Sequence, residues 1–255
     1  GSGDMKRDMK KGRFVFIALL LCLIFTLSGC KAVVDAQRST EAPTEPEPAT
    51  EALNARYDLS SPKAASWFDD AVFVGDSVTL KLSYYCASDT GVLGNAEFFC
   101  AGSLGYGNAL WELDNPEAVH PYYKGAVHLT EECAEVTGKK NVFIMLGMND
   151  IALYGVDDTI KNCQELVDRI LKRTPDALIY IQSVTPMIDS VQTDAFNNRL
   201  ISQLDEKLKT LCEEKDYRYL DVYSALADAD GNLPLDYCSD PENMGLHFND
   251  ASCKI

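Results

Sequence analysis

Four short stretches of the chain hold residues that could carry out nucleophilic chemistry. Gly75-Asp76-Ser77-Val78 places a serine directly after an apolar run and at the opening of an amphipathic stretch. A hydroxyl at such a strand-to-helix turn is exposed, and its own N–H is among the unsatisfied donors of a helix N-terminus. A nucleophile whose attack creates an oxyanion needs both. Alone, the same residues read equally as a serine N-cap on a surface helix. Ala101-Gly102-Ser103-Leu104-Gly105-Tyr106-Gly107 is a glycine loop whose N–H groups can approach a ligand closely, or whose glycines simply serve the turn. In Gly147-Met148-Asn149-Asp150 a carboxamide can aim a donor at a neighbouring site while Asp150 binds loop amides; the competing reading is an Asx-turn. Met244-Gly245-Leu246-His247-Phe248-Asn249 carries one of three histidines. His120 adjoins Pro121 and His128 precedes a helix start at Thr130, so both read as surface or packing residues. His247 stands in a polar loop after Tyr237-Cys238-Ser239-Asp240-Pro241-Glu242.

Elements that could position these groups alternate along the chain. Five apolar runs, at 71–74, 97–100, 142–146, 177–182 and 217–220, each end at glycine, serine, aspartate or a glycine-bearing loop. Between them lie helical patterns. Ile160, Cys163, Val167, Ile170 and Leu171 recur every three to four residues and close at Thr174-Pro175; Leu200, Ile201, Leu204, Leu208, Leu211 and Cys212 do the same. Strands alternating with helices imply βαβ units, hence a five-stranded parallel sheet covered on both faces. In such folds chemistry sits outside the carboxyl ends of the strands, which is where the four stretches fall.

In that order and at those strand ends, the four blocks resemble the SGNH (GDSL-type) hydrolase family over about Trp67 to Ile255. The resemblance implies a flavodoxin-like three-layer α/β/α fold and hydrolysis of acyl or acetyl esters without a cofactor. Carried over by position, it makes Ser77 the nucleophile and His247 the general base. The Ser77 N–H, the Gly105 N–H and the Asn149 side chain form the oxyanion hole, and Asp76 and Asp150 support the site. One position departs from the family, whose Asp three residues before the histidine is here Met244. Asp240, seven before, could orient the imidazole in its place; a main-chain carbonyl could accept the Nδ1–H; or the protein is inactive.

The remainder of the chain speaks of location and partners. Lys6 to Arg13 is basic, and Phe14–Leu27 is a fourteen-residue, almost wholly apolar run. At ~1.5 Å per residue it falls short of a ~30 Å hydrocarbon core, and so fits a secretory signal over residues 1–29. Gly1 to Asp4 precede Met5 and read as an expression scar or an upstream start. Leu27-Ser28-Gly29-Cys30 resembles a bacterial lipobox, which implies lipidation of Cys30 and an extracytoplasmic protein anchored to the cell membrane. The 30–60 stretch, with TEAPTEPEPATEA, is a tether too polar to offset its ordering entropy. The folded domain is then 61–255. Its last residues read as the capped start of a helix, an expected truncation.

The 23 Lys and Arg oppose 39 Asp and Glu. Five of those bases and two of those acids precede Phe14, leaving 18 against 37 in the exported part. That balance argues against nucleic acid or anionic lipid as the main partner, since both are polyanions. Nine cysteines, seven of them in the domain, lack metal-ligand spacing, so no metal site and no disulfide framework is expected. The expected partner is a small ester or acylated glycan, with Tyr84, Tyr85, Tyr106, Trp111, Tyr122 and Tyr123 as candidates for a sugar-binding rim or for the core. A lysophospholipase and a non-catalytic carbohydrate-binding lipoprotein are the alternatives.

Overall fold

The strand β1 (Ala71–Gly75) is buried at all five positions. That is the signature of a central parallel strand, apolar throughout because both sheet faces are covered. It belongs to a computed structural model that describes residues 65–88 and 91–255. The expected 1–29 signal segment, Cys30 and the expected 30–60 tether lie outside the described residues, as do residues 61–64 of the expected domain. β1 is followed by α1 (Ser77–Ser88), β2 (Glu97–Cys100) and the one-turn α2 (Tyr106–Ala109). Then come β3 (Tyr122–Tyr123), β4 (Ala126–Val127), α3 (Cys133–Thr137), β5 (Asn141–Met145), α4 (Ile151–Arg173) and β6 (Leu178–Gln182). The chain continues through α5 (Asn198–Lys215), β7 (Arg218–Leu220), α6 (Val222–Leu226) and α7 (Asp250–Lys254).

Five strands form one parallel sheet in the order β2-β1-β5-β6-β7. This is the flavodoxin-like order, a three-layer α/β/α fold whose direction of winding reverses between β1 and β5. All five strands lie where the apolar runs predict them. The ends of β1 and β5 therefore open the crevice in which such folds bind ligands, and Ser77 and Asn149 follow those two ends.

The two sheet faces are packed differently. On one, Val72, Val74, Phe99, Val142, Ile144, Ile179 and Ile181 meet Leu166, Val167 and Ile170 of α4 and Ile201, Leu204, Leu208 and Leu211 of α5. Cys163 and Cys212 are buried there as small hydrophobes. On the other face Phe73, Phe143 and Tyr180 stack in a row, with ring centroids 4.8 and 4.4 Å apart. The α4 periodicity ends at Thr174, its C-cap, as read from the sequence; Gly155, at φ 72°, breaks the helix near its start. The β3–β4 hairpin was not foreseen. Its turn, Lys124-Gly125, has both φ values positive, the geometry that a tight two-residue hairpin demands.

Candidate active site

The Ser77 side of the candidate site is built by a strand end that tolerates no side chain. A Cβ on Gly75 would lie 1.9 Å from Thr79 Oγ1 and 2.9 Å from the Met145 carbonyl oxygen. Only glycine lets β1 close against β5 and turn at once into α1. Asp76 caps that helix: its Oδ1 accepts from the Val78 N–H at 2.9 Å, and its carbonyl accepts from the Leu80 N–H at 2.9 Å. Burial pushes its carboxyl up to about 6, against the pull of the Val78 amide and of His247. Ser77 is the first residue of α1, so its N–H has no intrahelical acceptor. Its Oγ lies 2.9 Å from His247 Nε2.

The histidine side is a loop folded back on itself. Cys238 and Phe248 form an antiparallel bridge, and the Ser239 N–H donates to the His247 carbonyl at 2.8 Å. The turn between them closes by donation from the Asn243 and Gly245 N–H groups to the Asp240 carbonyl. Gly245 sits at φ 63°, pressed so closely on Ile188 and Val191 that a Cβ would come within 2.6 Å of each. Asp240 is thereby brought beneath His247, with Oδ2 2.7 Å from Nδ1. Its Oδ1 accepts from the His247 N–H at 3.0 Å and the Leu246 N–H at 3.2 Å. Partial burial would raise this carboxyl, but the His247 ring and amide outweigh it and hold it below the usual carboxylate range. An ionised carboxylate only accepts. Nδ1 therefore carries a proton, and in the neutral imidazole Nε2 is the nitrogen left to accept from the Ser77 hydroxyl. Met244 does not enter this chain of contacts; its side chain is 47% exposed.

The third part is a set of N–H donors after β2 and β5. Asn149 Nδ2 lies 3.0 Å from the Leu104 carbonyl and 3.3 Å from Asp76 Oδ2. Asp150, buried, accepts from the Tyr106 N–H at 2.9 Å and the Gly107 N–H at 2.8 Å, which ties the glycine loop to the end of β5. Burial raises its carboxyl, and those two amides pull the other way. A Cβ on Gly105 would strike Asp150 Oδ2 at 2.5 Å, so this loop position admits only glycine. The Gly105 N–H is occupied: it donates to Asn108 Oδ1 at 2.8 Å, while Asn108 Nδ2 donates to the Ser103 carbonyl at 2.9 Å. Ser103 itself lies at φ 64°, a left-handed conformation that non-glycine residues adopt at a cost. An oxyanion seated here would take the Gly105 amide over from Asn108.

Asn108 escaped the sequence reading, although its place at the third position of a helix opened by Gly105 is where a side chain returns to the N-cap amide. Two further residues were missed. Cys238 Sγ lies 3.3 Å from Asp240 Oδ1, and Lys81, one turn after Ser77, pairs with Asp250 at 2.5 Å. A cleft of about 570 Å³ runs along these last residues, lined by Lys81, Ser239, Phe248, Asn249, Asp250 and Ala251. The tyrosines suggested for a rim divide: Tyr106 and Tyr123 are buried in the core, while Tyr84 and Tyr122 are exposed. His120 and His128 lie apart from the Ser77–His247 contact; His128 faces Phe99 and Glu132. Among the described residues no group of three His, Cys, Asp or Glu side chains could hold a metal ion.

Comparison with known proteins adds the family. A family model described as GDSL-like lipase/acylhydrolase matches residues 73–255. Among solved structures, the chain is similar to a protein provisionally named a platelet activating factor from Streptococcus pneumoniae, at 19% identity and TM-score 0.55, over 81% of this chain and 93% of that one. It is similar as well to a GDSL-like lipase from Bacteroides thetaiotaomicron, at 15% identity and TM-score 0.53, over 81% and 89%. An acylhydrolase, provisionally so named, from Bacteroides fragilis aligns at 16% identity and TM-score 0.51, over 72% and 80%. These likenesses concern the fold. No match is found among curated proteins.

Proposed function

The chain belongs to the GDSL-like lipase/acylhydrolase family of carboxylic ester hydrolases, and on that premise we propose that it is a serine esterase working through Ser77, His247 and Asp240, held at the cell surface by a lipid on Cys30. The observation that carries this reading is the continuous path from Ser77 Oγ through the imidazole to Asp240 Oδ2, with steps of 2.9 and 2.7 Å. Both lie within the reach of proton transfer.

Each bond change then has a named group. As Ser77 Oγ attacks the ester carbonyl carbon, its proton passes to His247 Nε2, and Asp240 stabilises the imidazolium. The carbonyl oxygen becomes an oxyanion facing the Ser77 and Gly105 N–H groups and the Asn149 carboxamide. A preorganised donor of this kind contributes roughly 2.7–4 kcal/mol to the transition state. When the carbon–oxygen bond breaks, the leaving alcohol takes the proton from Nε2. Water then gives a proton to Nε2 and its oxygen to the acyl carbon, releasing the acid and restoring the Ser77 hydroxyl.

For the substrate we favour a short acyl group, such as acetyl, on a carbohydrate. The cleft lined by Lys81, Ser239 and Phe248, residues that neighbour Ser77 and His247 in the chain or in the hydrogen-bonded loop, supports that choice. Its wall mixes an ammonium, a hydroxyl, a carboxamide and a carboxylate with Phe248 and Ala251, a lining that suits a hydroxylated alcohol better than a fatty chain. A lysophospholipase is the second reading, favoured by Leu153 and Met244, which stand 54% and 47% exposed near Asn149 and His247 in the chain.

A fluorophosphonate tests the chemistry: it should label wild type at Ser77 and leave Ser77→Ala unmodified. An unlabelled wild type that still binds acetylated glycans would make the protein a binding module. Release of acetate from acetylated glycans, set against turnover of long-chain p-nitrophenyl esters and lysophospholipid, separates the two hydrolytic readings. Detergent partitioning of wild type and Cys30→Ala tests the anchor.

A further inference from the structure

Asp240 reaches His247 from seven residues upstream, across a turn, and a carboxylate so delivered is free to rotate about its Cβ–Cγ bond unless both oxygens are held. Oδ2 meets the imidazole. Oδ1 collects three donors: the His247 N–H at 3.0 Å, the Leu246 N–H at 3.2 Å and the Cys238 thiol at 3.3 Å. The two amides come from the strand after the turn. Cys238 is the contribution of the strand before it, and it is fixed by its bridge to Phe248, the residue next to His247. The side chain is buried, 7% exposed. Burial, with the neighbouring carboxylate, pushes the thiol up, so at neutral pH it is an S–H donor and not a thiolate that would repel Asp240.

We propose that Cys238 is a positioning residue: its S–H···Oδ1 bond holds the Asp240 carboxylate in the one orientation that serves His247. This rests on the assignment of Ser77, His247 and Asp240 made above. It explains how the chain can dispense with an Asp at Met244, since the longer link between acid and base is tied from both of its strands. A further ionisable group facing the pair stays as it is when Cys238 is changed. It is Asp76, across the site beside Ser77, whose carboxyl feels His247.

The test compares Cys238→Ala with Cys238→Ser. Removing the donor should lower kcat roughly three- to tenfold, the net scale of one ordinary hydrogen bond, because a thiol is a weak donor, with KM unchanged. A carboxylate with fewer donors holds the imidazolium proton more tightly, so the acid limb of kcat/KM should move to higher pH. The downfield Nδ1–H proton resonance of His247 should shift with it. Serine keeps a donor and should restore all three readouts. If alanine compromises folding, Cys238→Val, which fills the volume without a donor, takes its place. The proposal is overturned if the donor-free and serine variants give the same kcat, the same limb and the same resonance while melting as wild type does. Fluorophosphonate labelling of the same samples separates the two levels. A wild type that fails to label removes the esterase reading itself; a wild type that labels, beside indistinguishable variants, removes only the role of Cys238.

Discussion

The two halves of the candidate site are held by different physics. Ser77, Asn149 and the Gly105 loop stand at the ends of β1, β5 and β2, where Asp76 and Asp150 are 2% and 1% exposed and glycine is imposed by contacts under 3 Å. Their geometry is a by-product of the core. His247 and Asp240 belong to a loop whose shape comes from hydrogen bonds between its own two strands and from the seat of Gly245 on Ile188; their side chains are 30% and 15% exposed. A group fixed by sheet register cannot move along the sequence without dismantling the sheet. A group fixed by local hydrogen bonds can be supplied from a different position, provided the loop returns it to the same place. That contrast accounts for a departure at Met244 in a chain whose other three blocks are intact.

The largest effect should come from the core-held side without touching the core. Ser77→Ala removes the proposed nucleophile from a half-exposed position and should cost roughly 10⁴–10⁶-fold in kcat, as removal of a serine nucleophile does elsewhere, with the melting temperature of wild type. A fall in stability of comparable importance would mean that Ser77 is a cap and the site lies elsewhere. Next comes the loop side. Asp240→Asn preserves shape but favours the wrong imidazole tautomer, and should lower kcat roughly 10³–10⁴-fold with little change in KM. Adding Met244→Asp should restore nothing, because that side chain points to solvent while position 240 fills the place beneath Nδ1. Recovery of activity in the double variant would show that the loop can draw its acid from either position.

Asn149→Ala cuts across the comparison. It deletes the proposed oxyanion donor, for a loss of roughly 10²–10³-fold in kcat. It also strips the Leu104 carbonyl and Asp76 Oδ2 of their shared donor. A lowered melting temperature is therefore expected here and not in Asp240→Asn. If urea titrations find both variants equally stable, the distinction between a core-built and a loop-built half has no energetic content.

The same distinction governs what the sequence made legible. Parallel strands buried on both faces are continuous apolar runs, so β1 at 71–75 and β5 at 141–145 stand out, and with them the residues that follow, Ser77 and Asn149. The helices α4 and α5 announce themselves by spacing because each buries one stripe. Asp240 was visible only as one of three alternatives, since composition cannot say which carboxylate a turn brings under a histidine. Asn108, Cys238 and the β3–β4 hairpin were not visible: their roles depend on side chains of two to three neighbouring residues meeting across a turn, and no periodicity marks such a meeting. The hairpin carried a local cue in Lys124-Gly125, but two-residue strands are too short to show alternation.

The smallest effect on catalysis, and the most informative about the core, concerns Asp205 on α5. Its Oδ1 accepts from the Val184 N–H at 2.7 Å, at the exit of β6, while Oδ2 is buried with no hydrogen-bond partner. Burial, with a further push from Asp221, raises the carboxyl from 3.8 to about 8. The unfolded chain therefore gives up this proton near pH 4 and the folded protein near pH 8. Between those values the unfolded state binds fewer protons, so the contribution of Asp205 to stability is complete below pH 4 and declines as pH rises towards 8. Asp76 and Asp150 are raised for the same reason and slope the same way, but both survive in an Asp205→Asn variant, so the difference between the two stability curves isolates Asp205. Asparagine keeps the acceptor for Val184 and cannot ionise. The variant should match wild type in urea unfolding at pH 4 and exceed it by an amount on the order of a few kcal/mol at pH 8, since each displaced pKa unit corresponds to about 1.4 kcal/mol. Its kcat should be that of wild type, because Asp205 touches neither Ser77 nor His247. Parallel stability curves from pH 4 to 8 would show that Asp205 is ionised in the fold and that its second oxygen has found water. A changed kcat would mean that the core behind β6 reaches the site more directly than the Val184 contact alone provides.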